Sequence, residues 1–110
     1  MVRHAVRVDD RLEGVVTARL LLPGCTDTIV LLDPEHRPEG LCSCHPFPNV
    51  ARVTVNGSVV WRSELLPQET TAKCWNRITW DGARLLASTY SYVCELDPVT
   101  GRIVSETFTK

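Results

Sequence analysis

No apolar run in this sequence approaches the ~20 residues that a membrane-crossing helix needs,. The opening Met-Val-Arg-His-Ala-Val-Arg has no apolar stretch behind it, so no secretory leader is expected,. Charge of one sign is lacking too. The net charge is −1 and the basic residues are dispersed, which gives neither nucleic acid nor an anionic membrane a reason to bind,. Glycine is sparse, at six residues in turn-like places, so no phosphate-cradling loop is built,. There is no G-x-S-x-G and no H-E-x-x-H, and hence no signature of a serine hydrolase or a zinc peptidase. These absences predict a protein that is not an enzyme. Cysteine is not lacking, but its count of five is odd. Without a leader, the expectation is reduced thiols in a cytoplasm,.

What is present is strand pattern. One hundred and ten residues with 44% hydrophobic and 23% charged content suit a single all-β domain over 1–110,. Its centre is 80–104, WDGARLLASTYSYVCELDPVTGRIV, where short apolar runs are separated by turn signals. Asp81-Gly82 is a hairpin signal, Thr89–Ser91 a second corner, and Asp97-Pro98-Val99-Thr100-Gly101 a third. Tyr92, Cys94 and Leu96 alternate with Val93, Glu95 and Asp97, the period of a half-buried strand. Leu85-Leu86-Ala87 reads as buried on both faces. The last strand is expected to turn Ile103, Ser105 and Thr107 to one face and Val104, Glu106 and Phe108 to the other.

Upstream, Val2–Val8 alternates like an edge strand. Residues 11–22 have two readings. Asp10 could cap a helix stopped by Pro23-Gly24, but Val15, Val16 and Thr17 favour a strand. Ile29–Leu32 is a short apolar strand. Residues 33–49 hold prolines 34, 38, 46 and 48, which exclude an interior strand or helix,. Residues 50–65 form a second hairpin around Asn56-Gly57. A two-residue turn would set Val53 opposite Val60, whereas a bulge at Gly57 would shift that register.

Two units emerge: one over about 15–66 with an inserted loop at 33–49, and one over about 74–109. Gly57 superimposes on Gly101, and Asp27–Leu32 resembles Asp81–Leu86. Turn signals recurring at such a period are a mark of propeller blades. Trp80-Asp81-Gly82 with Leu85, then Leu96-Asp97-Pro98 and Thr100-Gly101-Arg102, resembles the blade repeat of quinoprotein-like (PQQ-type) β-propellers. Val59-Val60-Trp61 matches the repeat's Trp ending, and Ser105 departs from it. The resemblance implies antiparallel propeller-blade-like units. About two blades do not make a ring, so they are expected to close on each other as a small sandwich or barrel, or to be completed by homo-oligomerisation, a dimer included. The quinoprotein enzymes carry a vicinal cysteine pair at the cofactor; Cys42-Ser43-Cys44 is not vicinal, so no cofactor carries over.

Function is expected to lie in binding another protein, as an immunity- or inhibitor-type module would. Tyr90 and Tyr92 flank a turn and share one face in period two, which makes them the candidate contacts. Phe47, in the proline-rich loop, is a third. The other reading is a metal or small-ligand module. Cys42, Cys44 and His45 offer zinc two thiolates and an imidazole, and Cys25 or His36 could add to the set, although C-x-C is tighter than the usual paired spacing. The strand charges Arg52, Arg62, Glu64, Arg84, Glu95 and Glu106 read as a solvated face.

Overall fold

A computed structural model describes residues 14–37, 46–66 and 74–109. Every regular element among them is a strand: β1 (Val16–Leu21), β2 (Thr28–Leu32), β3 (Val50–Val53), β4 (Val59–Arg62), β5 (Arg77–Trp80), β6 (Leu85–Ser88), β7 (Tyr92–Leu96) and β8 (Ile103–Phe108). They form two four-stranded antiparallel meanders, β1-β2-β3-β4 and β5-β6-β7-β8. Residues 16–21 are therefore strand, not helix. Val15 to Thr17 lead in with β-branched side chains, and β1 has a sheet partner in β2, which a helix would have forfeited,.

The last hairpins of the two meanders share one register pattern. In the first, Arg52 pairs with Trp61 and Val53 with Val59, so Val60 is an extra residue. In the second, Glu95 pairs with Ser105 and Leu96 with Ile103, so Val104 is the extra residue. The two-residue Asn56-Gly57 turn is not realised: Thr54 N–H donates to Ser58 O (2.9 Å), Val53 lies opposite Val59 and not Val60, and the bulged residue in the register is Val60. The same bulge corrects the faces of β8: Ile103 lies opposite Leu96, while Ser105 moves to the face of Glu95. The first hairpins differ, in turn length and in a bulge between Val16 and Ala18 that β5–β6 does not have. Leu22 N–H donates to Asp27 O (3.3 Å), whereas Asp81 N–H donates to Arg84 O (3.2 Å), so the first turn spans six residues and the second four.

One face of each sheet meets the other. Ile29, Leu31, Val50 and Trp61 pack with Ile78, Leu85, Ala87, Cys94 and Leu96, and Trp75 lies fully buried among them. Each fully buried aliphatic side chain of this kind contributes roughly 1.5–3 kcal/mol. The sheets face each other but stay separate, with no closed barrel among the described strands. A smaller cluster, Val30, Ala51 and Val53, lines the far face of the first sheet. The far face of the second, with Thr79, Leu86, Val93, Glu95 and Ser105, has no fully buried residue. Leu86 is thus only half-buried, and β6 is not covered on both sides as its apolar run suggests.

Three polar stitches hold the sheets together. The amide of buried Asn49 donates to Leu32 O (2.9 Å) and Trp75 O (2.8 Å) and accepts from Trp75 N–H (2.8 Å). Trp75 Nε1 donates to Ser63 Oγ (2.9 Å) and Glu64 O (3.2 Å). At the far end, the β7–β8 turn is gripped by the first sheet. Trp61 Nε1 donates to Pro98 O (2.8 Å), Glu64 N–H to Gly101 O (3.0 Å), and Ile103 N–H to Glu64 Oε1 (2.8 Å). Glu64 is therefore not merely part of a solvated face; it caps the start of the β8 edge.

Cys94 sits in the shared core with no exposure. Burial first, and the nearby Glu106 carboxylate second, push its thiol up from 9.0 to about 11. The folded chain holds the neutral thiol above the pH at which the unfolded chain loses its proton. The resulting stability is complete below about pH 9 and is lost as pH rises towards about 11,. Two pKa units correspond to at most about 2–3 kcal/mol, less the part that solvent screens. Denaturation at pH 8 and pH 11 should show a loss of that order. Cys94→Ala should be less stable at pH 8 but should show a correspondingly smaller further loss between the two pH values.

Candidate functional site

The β6–β7 corner is built by a threonine. Thr89 Oγ1 accepts the N–H groups of Ser91 (3.3 Å) and Tyr92 (3.1 Å), and Thr89 N–H donates to Tyr92 O (2.9 Å). The end of β8 is tied to the same corner, because Thr109 donates to Ser91 O from its N–H (2.8 Å) and from Oγ1 (3.1 Å). Tyr90 projects from this fixed corner, 66% exposed. Tyr92 is half-buried and its ring meets Phe108, with centroids 5.3 Å apart and planes tilted 59°. Phe108 is itself 60% exposed. Tyr90, Tyr92 and Phe108 thus stand at one end of the β7–β8 hairpin and the corner beside it.

Phe108 is a patch residue that sequence reasoning did not single out. The signal was available only by counting outward from the Asp97–Gly101 turn with one bulge included, which sets Phe108 opposite Tyr92. Phe47 lies elsewhere. It is 3% exposed, in a satellite core with Leu32 and Cys74, and the Arg37 guanidinium lies 5.4 Å from its ring centroid. Its side chain is used in packing. Cys42, Cys44 and His45 lie outside the described residues, as does the strand expected at Val2–Val8. His36 Nδ1 is 3.0 Å from Asp33 Oδ2, and the Asp33 carboxyl is held below its ordinary value by the Glu35 N–H and by His36. Among the described residues no cluster of three or more His, Cys, Asp or Glu is set to hold a metal ion.

A second feature lies between the sheets, at the end where the hairpin turns gather. Arg52, expected on a solvated face, points into it. The register explains this: Arg52 pairs with Ile29 and with Trp61, both of which belong to the shared core. Its Nε donates to Asp27 Oδ2 (2.8 Å) and its Nη1 to Pro98 O (2.7 Å). Around it, Leu22, Pro23, Cys25, Trp80 and Pro98 line a cleft of about 240 Å³. The walls come from the longer β1–β2 turn on one side and from the second sheet on the other. Nothing in the local sequence marks Arg52 for this place, since it alternates with Ala51 and Val53 as an outward residue would.

The observed class is an all-β protein of two antiparallel four-stranded sheets joined across one core, with no helix among the described residues long and apolar enough to cross a membrane. The chain belongs to the family described as Domain of unknown function (DUF7957), whose pattern matches residues 4–108. No curated protein and no solved structure matches it.

Proposed function

We propose that this chain is a non-catalytic protein-interaction module of propeller-blade type, whose partner docks on Tyr90, Tyr92 and Phe108. The observation that carries the reading is the exposure of Tyr90 and Phe108 on a corner held rigid by Thr89 and Thr109. Rigid aromatic side chains supply large contact area at little cost in conformational entropy, which is why they dominate binding hot spots. The register-equivalent bulges of the two meanders support the blade-repeat reading.

Docking by strand addition is disfavoured at the β8 edge. Glu64 occupies the N–H of Ile103 at the start of β8, and Glu106 places a charge within the strand, both common ways of blunting an edge,. Stacking of a further blade or a second copy on the far face of the second sheet is also disfavoured. In the first sheet the inter-sheet positions are Arg52 and Trp61; their register equivalents here are Glu95 and Ser105, which present a polar surface. Light scattering should therefore give the mass of one chain.

The test of the reading is paired capture, with wild type and a Tyr90→Ser, Phe108→Ser double variant of matching Tm used as bait in the same cell extract. A stoichiometric protein partner held by wild type and reduced at least about tenfold by the variant, a loss of roughly 1.4 kcal/mol or more, is the expected result. Equal recovery by both baits, or no partner with either, would end the proposal.

A further inference from the structure

The cleft between the sheets is separate from the aromatic corner, and its chemistry is more specific. We infer that it is a binding site for a small uncharged ring compound carrying one carbonyl oxygen.

Size sets the first limit. An apolar cavity of about 150 Å³ accommodates benzene, and drug-sized ligands occupy about 300–1,000 Å³. At about 240 Å³, this cleft has room for one ring and a small substituent. Its walls set the second limit. Leu22, Pro23, Trp80 and Pro98 are apolar and suit the faces and edges of a ring,.

Polarity sets the third. Two of the three Arg52 nitrogens have strong acceptors, Asp27 and Pro98 O. The third, Nη2, is directed at Cys25 Sγ, 3.9 Å away, and the thiol in turn reaches Leu22 O at 4.0 Å. Sulfur is a weak acceptor and a weak donor. The cleft therefore holds a guanidinium N–H, fixed in direction by its two better-bonded neighbours, that a carbonyl oxygen would satisfy more fully. Charge sets the fourth limit. Asp27 already neutralises Arg52 at 2.8 Å, with both side chains 19% exposed. An anionic ligand would meet the Asp27 carboxylate as well as the guanidinium, so a neutral acceptor is preferred to a carboxylate.

The site owes its existence to two differences between the units. The six-residue turn Leu22–Asp27 brings Pro23 and Cys25 over Arg52. Its counterpart Asp81–Arg84 is too short to build such a wall, and the counterpart of Arg52 is Glu95, which would repel a carbonyl oxygen.

Titration of the full-length protein with three probes, followed by nitrogen–proton correlation spectra, tests the inference. Benzamide has the ring and a neutral carbonyl, benzoate has the ring and a charge, and toluene has the ring alone. Benzamide should shift the Cys25 amide, the Arg52 Nε–H and the Trp80 indole N–H saturably. It should bind at least about fivefold more tightly than benzoate or toluene, the factor that one added neutral hydrogen bond supplies. Cys25→Tyr, a change at an exposed turn position, should fill the rim and weaken benzamide at least about tenfold while leaving Tm nearly unchanged,. The inference is overturned if none of the probes gives saturable shifts at these groups, if benzoate or toluene binds as tightly as benzamide, or if Cys25→Tyr at unchanged Tm leaves benzamide affinity as it was. Each of these outcomes is independent of partner capture through Tyr90 and Phe108.

Discussion

Gly101→Ala is expected to lower stability by about 3 kcal/mol, while Gly57→Ala costs only about 1 kcal/mol, although the two glycines hold the same place in the repeat. Both have positive φ, 88° at Gly57 and 77° at Gly101. Each substitution therefore carries the left-handed penalty of roughly 1–2 kcal/mol for a residue with a Cβ. Only Gly101 adds a steric term. A Cβ there would lie 2.5 Å from Trp61 Cε3 and 2.6 Å from Cδ2, whereas nothing lies within 4 Å of one at Gly57. The indole cannot retreat easily, because its Nε1 is bonded to Pro98 O and the ring is 8% exposed. Overpacking of this kind costs about 1–3 kcal/mol. Thermal denaturation should show Gly101→Ala melting roughly 10–20 °C below wild type. In a Trp61→Leu background the extra cost of Gly101→Ala should shrink, a coupling that a double-mutant cycle reads directly. Equal shifts for the two glycines would show that the indole does not rest on the turn.

Asn49→Leu should be at least as damaging, at about 3–5 kcal/mol. Asn49 is fully buried, and its amide serves the carbonyls of Leu32 and Trp75 and the Trp75 N–H together. Leucine is close in volume but leaves all three backbone groups unpaired, and each orphaned buried group costs about 1–3 kcal/mol. Because Asn49 bonds at once to the end of β2 and to the segment entering β5, the loss loosens one sheet against the other. Amide exchange should then rise at Trp75 and along β5 by a larger factor than within β2–β3. Asn49→Asp keeps the acceptor for Trp75 N–H but turns a carboxylate towards two carbonyls. It should regain stability as pH falls and protonation restores a donor. If Asn49→Leu matched wild type in a denaturant titration, the inter-sheet stitch would not be needed.

The contrast between Gly57 and Gly101 also shows how far the sequence reaches. Strand positions were legible because apolar and polar residues alternate along Tyr92–Leu96 and because Asp81-Gly82, Asn56-Gly57 and Asp97–Gly101 are turn chemistry with a local cause. The likeness of the hairpins that end the two sheets was legible through the matched glycines Gly57 and Gly101. The faces of β8 were not, since a single bulged residue, Val104, takes Ile103 off the face of Ser105 and Thr107 and sets it on that of Glu106 and Phe108,. Tyr90 could be singled out because it adjoins a corner, while Phe108 needed the register. Phe47 has an exposed-loop context in sequence and a buried side chain in fact, because Leu32 and Cys74 come from segments distant along the chain to enclose it.

By itself, the order of residues determined the local conformations: strands where the period is two, and corners where glycine, aspartate and proline sit. Only the packing of sheet on sheet decided which side each strand turns inward, that Arg52 is held between the sheets by Asp27 and Pro98, and that one of two equivalent glycines lies beneath a tryptophan. The reason is physical. A backbone preference is set by neighbours along the chain, but burial and hydrogen-bond satisfaction are set by groups tens of residues away, and those meet only when the two sheets close on their common core.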